Sequence, residues 1–508
     1  MTMLQDRHVL VLGLGLSGLA MARWCAGQGA QVTVVDTREA PPQLDALRQQ
    51  VPAARFVHGA MDASLLDDAS LHAVYRSPGL APISIAGVVQ AARERGLPVG
   101  GELDLFTQTL SNLKHTIGYQ PALLAITGTN GKTTVTALTG QLVERAGRSV
   151  VVAGNIGPTL LDTLQAHLVA ETLPEVWVLE LSSFQLDGVA GFEPTAATVL
   201  NITQDHLDWH GDMAAYAAAK ARIFGEHGVM VLNRDDAAVM AMRPAPPAKL
   251  PKGTPKPEPR TVLTFGADMP TEPGDFGIEL VGGMAWLVRA LEADETQRRR
   301  KDAEVELHIQ RLMPADALRI RGRHNAVNAL AALALATSAG CALGPMLYGL
   351  REYRGEPHRV ESIGLLDGVE YFDDSKGTNV GATVAALEGL GTERKLVVIL
   401  GGDGKGQDFS PLAAPVARFV RAVVLIGRDA PLLRAALRDT GVPLLDATDM
   451  PDAVAQAQAR AHSGDAVLLS PACASLDMFK NYGERAEVFR AAVRDLALAA
   501  GTDLEVLA

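Results

Sequence analysis

Thr127, Gly128, Thr129, Asn130, Gly131, Lys132, Thr133 and Thr134 follow one another directly after an apolar run at 123–126. Residues of these types in this order suit phosphate. Glycines let backbone N–H groups turn inward around anionic oxygens, and a helix beginning at Lys132 aims its positive end at them. Lys132 adds a point charge and Thr133 offers a hydroxyl to Mg2+. The stretch therefore predicts a nucleoside-triphosphate site. Its spacing departs from G-x-x-x-x-G-K-[ST] because Ile126 stands in the first glycine position, so a Gly/Thr-rich turn before a helix is the competing reading.

Two further strands feed the same chemistry. Glu180 sits near the end of the apolar run 176–181, and a carboxylate at a strand terminus beside a phosphate loop can complete a Mg2+ shell with hard oxygen. A buried ion pair or a helix cap is the alternative. The run 197–202 delivers Thr203, Gln204, Asp205, His206, Leu207 and Asp208. His206 then stands where open α/β sheets bind ligands. Lys220, in an Ala-rich helical stretch at 213–224, reads from spacing alone as a solvated helix lysine.

The elements that position these groups alternate strand and helix. At the start, 8–12 leads into Gly13, Gly15 and Gly18, and a second strand at 32–35 ends at Asp36. This G-x-G-x-x-G turn is Rossmann-like and fits NAD or any other diphosphate-bearing nucleotide. Ser77, Pro78 and Gly79 form a second turn near that ligand or an ordinary surface turn. A boundary falls at 112–120. In the last third, strands at 369–372, 395–400, 422–426 and 466–469 each end in polar or glycine-rich residues. In a parallel sheet these ends share one edge, where ligands bind. Gly322, Arg323, His324, Asn325 and Asn328 open an Ala/Leu-rich helix, where polar groups cap the helix or hold a base or ribose.

The 508 residues suggest about three domains, and 48% hydrophobic content supports several cores. A net charge of −12 argues against broad nucleic-acid or anionic-membrane binding. Cys25, Cys341 and Cys473 are scattered singly, which suits a reducing cytoplasm. Residues 9–22 carry fingerprint glycines rather than a cleavage site, and 326–350 is an Ala-rich buried helix with a turn rather than a membrane span. Residues 244–259, rich in Pro and Lys, read as an exposed loop; 291–304, with Arg298, Arg299, Arg300 and Lys301 in a row, as a solvated tip.

Taken together the motifs resemble the Mur ligases, in the branch that adds D-glutamate. They are GLGLSG from Gly13, TGTNGKTT from Thr127, GNIG from Gly154, ELSSFQL from Glu180, NITQDHLD from Asn201, the Lys220 helix, GRHNAVNALAA from Gly322, PHR from Pro357, DDSKGTN from Asp373, GGDGKG from Gly401 and SPACASLDMFKNY from Ser470. The resemblance implies an α/β protein of three domains. These are a Rossmann-like UDP-substrate domain at 1–117, a central P-loop ATPase with a mostly parallel sheet at 118–321, and a Rossmann-like amino-acid domain at 322–508. It implies a monomeric cytoplasmic enzyme, without nucleic-acid or membrane partners, that serves cell-wall synthesis and through it cell shape and division. The implied reaction joins D-glutamate to UDP-N-acetylmuramoyl-L-alanine through an acyl phosphate, using ATP and two Mg2+ sites.

Residue by residue, the resemblance assigns Gly128 to Thr134 to ATP and Thr133 to its Mg2+, with Lys132 acting on the reacting phosphate. Glu180, His206 and a carbamylated Lys220 go to a second Mg2+, which inverts the spacing-based reading of that lysine. Asn328, Arg359, Asp374 and Lys376 fall around adenine, ribose and phosphates. Ser17, Asp36, Thr37, Arg38, Ser77, Gly79 and Asn155 match the UDP-substrate region, and Thr378, Lys405, Ser475 and Tyr482 the D-glutamate pocket. Two rival classes are an NAD-dependent oxidoreductase, which leaves the central phosphate loop unused, and a nucleotide-gated binding protein, which forms no product.

Overall fold

A computed structural model describes residues 4–245, 259–293, 306–502 and 504–505. Most of the Pro/Lys-rich stretch and the Arg298 to Lys301 run lie outside them. The chain divides into two compact units, the first formed by 1–202, 206–265 and 331–346, the second by 203–205, 266–330 and 347–508.

The first unit contains two parallel sheets. Its leading sheet has the order β3-β2-β1-β4-β5, with β1 His8–Leu12, β2 Gln31–Asp36, β3 Arg55–His58, β4 Leu71–Arg76 and β5 Val99–Gly100. The first-made strand lies at the centre, so the loops after β1, β2 and β4 meet at one edge. Gly18 is required there: a Cβ on it would fall 2.0 Å from the Gly13 carbonyl oxygen, so only glycine lets the first helical turn close on the loop. The second sheet holds six parallel strands in the order β11-β10-β9-β6-β8-β7. These are β6 Ala122–Thr127, β7 Val150–Gly154, β8 Val176–Glu180, β9 Ala196–Val199, β10 Val229–Asn233 and β11 Val262–Phe265. Strands β6, β8 and β9 read as unbroken apolar runs because both their faces are covered. Val9, Trp24, Phe106, Leu160, Trp177 and Leu186 belong to one continuous core beneath the two sheets. Two polar ties join these layers, Arg23 to Asp162 at 2.6 Å and Leu161 N–H to Glu102 at 3.1 Å.

In the second unit, β12 Phe276–Val281, β13 Met284–Glu292 and β14 Leu307–Pro314 form an antiparallel ribbon. A six-stranded sheet follows, ordered β15-β16-β20-β17-β18-β19. It comprises β15 Glu361–Leu366, β16 Val369–Asp373, β17 Leu396–Gly401, β18 Val420–Ile426, β19 Leu444–Asp446 and β20 Ala466–Leu469, all parallel except β15. The ends of β16, β17, β18 and β20 therefore share an edge, as the sequence predicts. Leucines, valines and alanines of helices on both faces complete two separate cores. Among the described residues no helix is long and apolar enough to cross a membrane; the Ala-rich segment is the helix Arg323–Ser338, followed by Leu343–Glu352.

Candidate functional site

The phosphate loop joins β6 to the helix Lys132–Arg145. Gly128 (φ +151) and Gly131 (φ +83) adopt conformations that disfavour a side chain, and a Cβ on Gly128 would approach Leu200 Cβ to 2.9 Å. Asn201, two residues after β9, pins the loop. Its Oδ1 accepts from Asn130 N–H at 2.8 Å, its Nδ2 donates to the Asn130 carbonyl at 3.1 Å, and its own carbonyl accepts from Thr129 N–H at 3.0 Å. Lys132 Nζ folds back onto the carbonyls of Gly128 and Thr129, each at 2.9 Å. Thr129, Thr133 and Thr134 are buried.

Glu180 pairs in register with Ile126, the residue before the loop, on the adjacent strand β6. It is 2% exposed. Asn155 Nδ2 donates to its Oε1 at 3.0 Å, and Asn155 N–H donates to its carbonyl at 2.7 Å. Its Oε2 is buried and has no donor among the described residues. A buried carboxylate oxygen without a donor costs free energy, and a cation is the partner that suits it. The residues present thus fit a divalent metal at Glu180, whose carboxylate among the described residues is met by the Asn155 amide and by no Lys or Arg. The GNIG turn creates the clamp. Gly154 has φ +117, and a Cβ there would lie 2.2 Å from the Glu180 carbonyl oxygen. Gly154→Ala is therefore expected to destabilise the fold by about 1–3 kcal/mol and to displace Glu180, checked by denaturant unfolding and by phosphate release.

Lys220 overturns the reading drawn from spacing. Its helix, Met213–Ala221, buries the face that carries Tyr216, Ala219 and Lys220, so the lysine is 2% exposed rather than solvated. Its Nζ donates to the Gly128 carbonyl at 2.9 Å and to Thr127 Oγ1 at 3.3 Å, and lies 4.7 Å from the Tyr216 ring centroid. As an ammonium it matches loop carbonyls; only a carboxylate-like form of it would match a metal. His206 stands at the N-terminus of the short helix Leu207–His210 with φ +54, and its ring meets the edge of Phe184 at 4.7 Å. The turn Ser183–Leu186 is held by a reciprocal cap between Ser182 and Gln185 immediately after Glu180 and Leu181. Glu180 and Lys220 thus both adjoin the loop, the first through its register with Ile126 and the second through the Gly128 carbonyl, while His206 packs against Phe184.

At the edge of the leading sheet, Asp36 is the organising charge. It accepts from Leu14 N–H at 2.7 Å, from Arg38 N–H at 2.9 Å and from both ends of the Arg38 guanidinium at 2.8 Å. The Arg38 guanidinium, more than the backbone donors, holds the carboxyl down to about 2 from the ordinary 3.8. A depressed folded-state value stabilises above the unfolded value and ceases to as pH falls through the folded one. Wild type should thus exceed Asp36→Asn in stability above about pH 4, with the margin shrinking toward pH 2, as followed by urea midpoints. Ser77 is no surface turn residue: it is 8% exposed and its Oγ donates to the Gly13 carbonyl at 2.9 Å. Ser17 is half-buried, whereas Thr37 and Gly79 are exposed. A cavity of about 540 Å³ opens nearby, lined by Arg76, Pro78, Phe184, Gln185, Asp187 and Arg222 among others.

In the second unit, Asp374 follows β16. Burial lifts its carboxyl to about 7, against the opposing pull of a 2.6 Å hydrogen bond from Ser470 Oγ and the charge of Arg359. Arg359 lies between His358 (φ +64) and Val360 (φ +49), two non-glycine residues in left-handed conformations. That turn is fastened by His358 Nδ1 on Asp373 at 2.8 Å and His358 N–H on Glu361 at 2.9 Å, while Arg490 donates to both carboxylates. His358, Glu361 and Asp373 lie close enough to ligate a metal, but Arg490 already supplies their positive charge. Asn328 donates to Asn325 Oδ1 at 3.1 Å. Lys376 Nζ lies 5.6 Å from the ring of Tyr482, which is 39% exposed. Thr378 is half-buried, Ser475 buried, and Lys405 is exposed with φ +51, its N–H on Asp403 Oδ1 at 2.9 Å.

Sequence reasoning missed Arg485. This arginine is 1% exposed and donates to the Cys473 carbonyl at 3.1 Å and the Ser375 carbonyl at 2.7 Å, tying together the loops after β20 and β16. In a charged terminal helix nothing marks it as buried. Gln185 and Asn201 lay within quoted motifs, where their polar side chains beside strand ends were the available signal.

A phosphate loop with an adjoining carboxylate that keeps one oxygen without a donor among the described residues, on the central strands of a parallel sheet, defines a nucleotide-using α/β protein of the phosphate-loop class. The chain belongs to the Mur ligase family. It matches the Mur ligase middle domain over residues 126–336, the Mur ligase MurD-like N-terminal domain over 7–101 and the Mur ligase glutamate ligase domain over 358–473. It is 69% identical over 506 residues to the UDP-N-acetylmuramoylalanine–D-glutamate ligase of Albidiferax ferrireducens, covering 99% of both chains. To the ligase of the same name from Burkholderia mallei it is 60% identical over 511 residues, covering 98% of this chain and 99% of that one. Among solved structures it is similar in fold to MurF ligase from Thermotoga maritima in complex with ADP, with a TM-score of 0.55, 17% identity and 97% of each chain covered. It is likewise similar to MurF from Acinetobacter baumannii, with a TM-score of 0.54, 18% identity, and 96% and 91% covered.

Proposed function

We propose that this protein is an ATP-dependent ligase that joins D-glutamate to UDP-N-acetylmuramoyl-L-alanine in peptidoglycan synthesis, the acceptor and donor that its relatives' names state. The observation that carries the reading is the buried, donorless Glu180 oxygen held beside a phosphate loop. Its setting in the cytoplasm, its part in cell division and its action as a monomer belong to the same proposal, as do domain limits at 1–117, 118–321 and 322–508.

In the first step the substrate carboxylate attacks the γ-phosphorus of ATP, and ADP leaves. In the second the D-glutamate amine attacks the acyl-phosphate carbonyl; phosphate departs, the amine loses a proton and an amide remains. Two anions must meet at the outset, so the chain's task is to offset charge and fix geometry. We assign that task to Lys132 and to the N–H groups of Gly128 to Thr134. Thr133 would hold one Mg2+, and Glu180, His206 and a carbamylated Lys220 a second; when bound, such ions withdraw charge from phosphate oxygens. Asn155 keeps the Glu180 carboxylate oriented. Ser17, Asp36, Thr37, Arg38, Ser77, Gly79 and Asn155 are assigned to the UDP-substrate region. Asn328, Arg359, Asp374 and Lys376 are assigned to nucleoside and phosphates, and Thr378, Lys405, Ser475 and Tyr482 to D-glutamate.

The test is phosphate release from ATP with UDP-N-acetylmuramoyl-L-alanine and D-glutamate, L-glutamate, L-lysine or no amino acid. Release confined to D-glutamate, with an amide product of matching mass, supports the reading. Release with another amino acid moves the enzyme to a different acceptor, and none from folded protein contradicts it.

A further inference from the structure

His210 is a polar side chain that neither the motifs nor the proposed chemistry uses, yet it is the centre of an aromatic stack. Its ring lies parallel to Phe184, with centroids 5.8 Å apart and planes at 12°, and it meets Trp209 at 4.4 Å and Tyr216 at 5.2 Å. Its Nε2 is 2.9 Å from the buried Ser183 Oγ. Phe184 in turn meets His206 at 4.7 Å, and Tyr216 carries Lys220 over its face with Nζ at 4.7 Å. The chain His206, Phe184, His210, Tyr216, Lys220 thus joins two residues assigned to one site but carried by different helices.

Tyr216 and Lys220 are four residues apart on one helix and so share a face. The Tyr216 ring is fixed at two points: its hydroxyl lies 3.2 Å from Thr129 Oγ1 in the phosphate loop, and its ring packs on His210. The second contact sets the tilt of the face on which the lysine rests. We propose that His210 is a positioning residue for Lys220, acting through the Tyr216 ring, an inference that rests on the assignment of Lys220 to the reacting-phosphate site. What matters is then a flat ring at position 210, since aromatic contact depends on orientation and not on volume alone.

The experiment compares wild type, His210→Leu and His210→Phe in the full-length enzyme. Leucine keeps the volume and removes the ring, whereas phenylalanine keeps the ring. The first readout is acetylation of Lys220 by an N-hydroxysuccinimide ester in bicarbonate-free buffer, where the amine is uncarbamylated, quantified on its peptide by mass spectrometry; the second is kcat and KM for ATP. His210→Leu should raise Lys220 acetylation about fivefold and lower kcat about tenfold with KM for ATP nearly unchanged, the size of one lost oriented ring–ring contact and its consequences. His210→Phe should restore both. Unchanged acetylation in His210→Leu overturns the proposal, and so does His210→Phe behaving like His210→Leu, because that would place the effect in the Ser183 hydrogen bond. Acetylation reports the position of Lys220 even if wild type shows no D-glutamate-dependent phosphate release, so the two readings fail separately.

Discussion

Lys220→Ala is expected to lower kcat by about a thousandfold while leaving a folded protein, and millimolar formate or acetate should return part of the activity. The size follows from losing one preorganised charge partner in a water-poor site, about 3–4 kcal/mol of transition-state stabilisation. The direction of rescue follows from chemistry. The lysine's Nζ rests on the Gly128 carbonyl and Thr127 Oγ1, so an added carboxylate has no reason to replace an ammonium but every reason to replace a carbamate. A second readout is independent of turnover: after exposure to 13C-bicarbonate, wild type should show a carbamate carbonyl resonance that Lys220→Ala lacks. Loss of activity without carboxylate rescue or a carbamate signal would mean that Lys220 acts as a cation holding the loop.

Lys132→Ala is expected to reduce kcat by about 10²–10³ and to weaken ATP binding less than that, because its charge is worth most where charge moves onto the β–γ bridging oxygen. In the structure Lys132 Nζ is on the Gly128 and Thr129 carbonyls, which hold it at the mouth of the loop. The Asn201 clamp does not involve it, so the loop should keep its shape in the variant. Single-turnover phosphate release at saturating ATP, alongside ATP affinity by calorimetry, separates the two effects. Near-normal turnover would remove Lys132 from the proposed mechanism.

How far residue order foretold this arrangement depends on the physics at each position. The phosphate loop was legible because glycines at left-handed positions, a following lysine and an apolar strand are local requirements, and local requirements leave local marks. The shared edge of β16, β17, β18 and β20 was legible for the same reason, each strand ending in residues that no buried strand tolerates. Lys220 was not legible without the family resemblance. An Ala-rich helix has no apolar stripe to say which face is covered, and the burial comes from the phosphate loop some ninety residues earlier in the chain. His210 and Arg485 escaped notice for a related reason, since their partners Phe184, Tyr216, Ser375 and Cys473 are brought to them only by the fold. Ser77 left two readings open until the Gly13 carbonyl was seen to accept its hydroxyl.

The acyl-phosphate route is tested most directly by oxygen transfer. UDP-N-acetylmuramoyl-L-alanine carrying 18O in both carboxylate oxygens would be turned over with ATP and D-glutamate, and the released phosphate analysed by mass. One 18O in each phosphate, with the other kept in the new amide carbonyl, is the result expected when the carboxylate attacks the γ-phosphorus. Unlabelled phosphate accompanying full amide formation would contradict the mechanism.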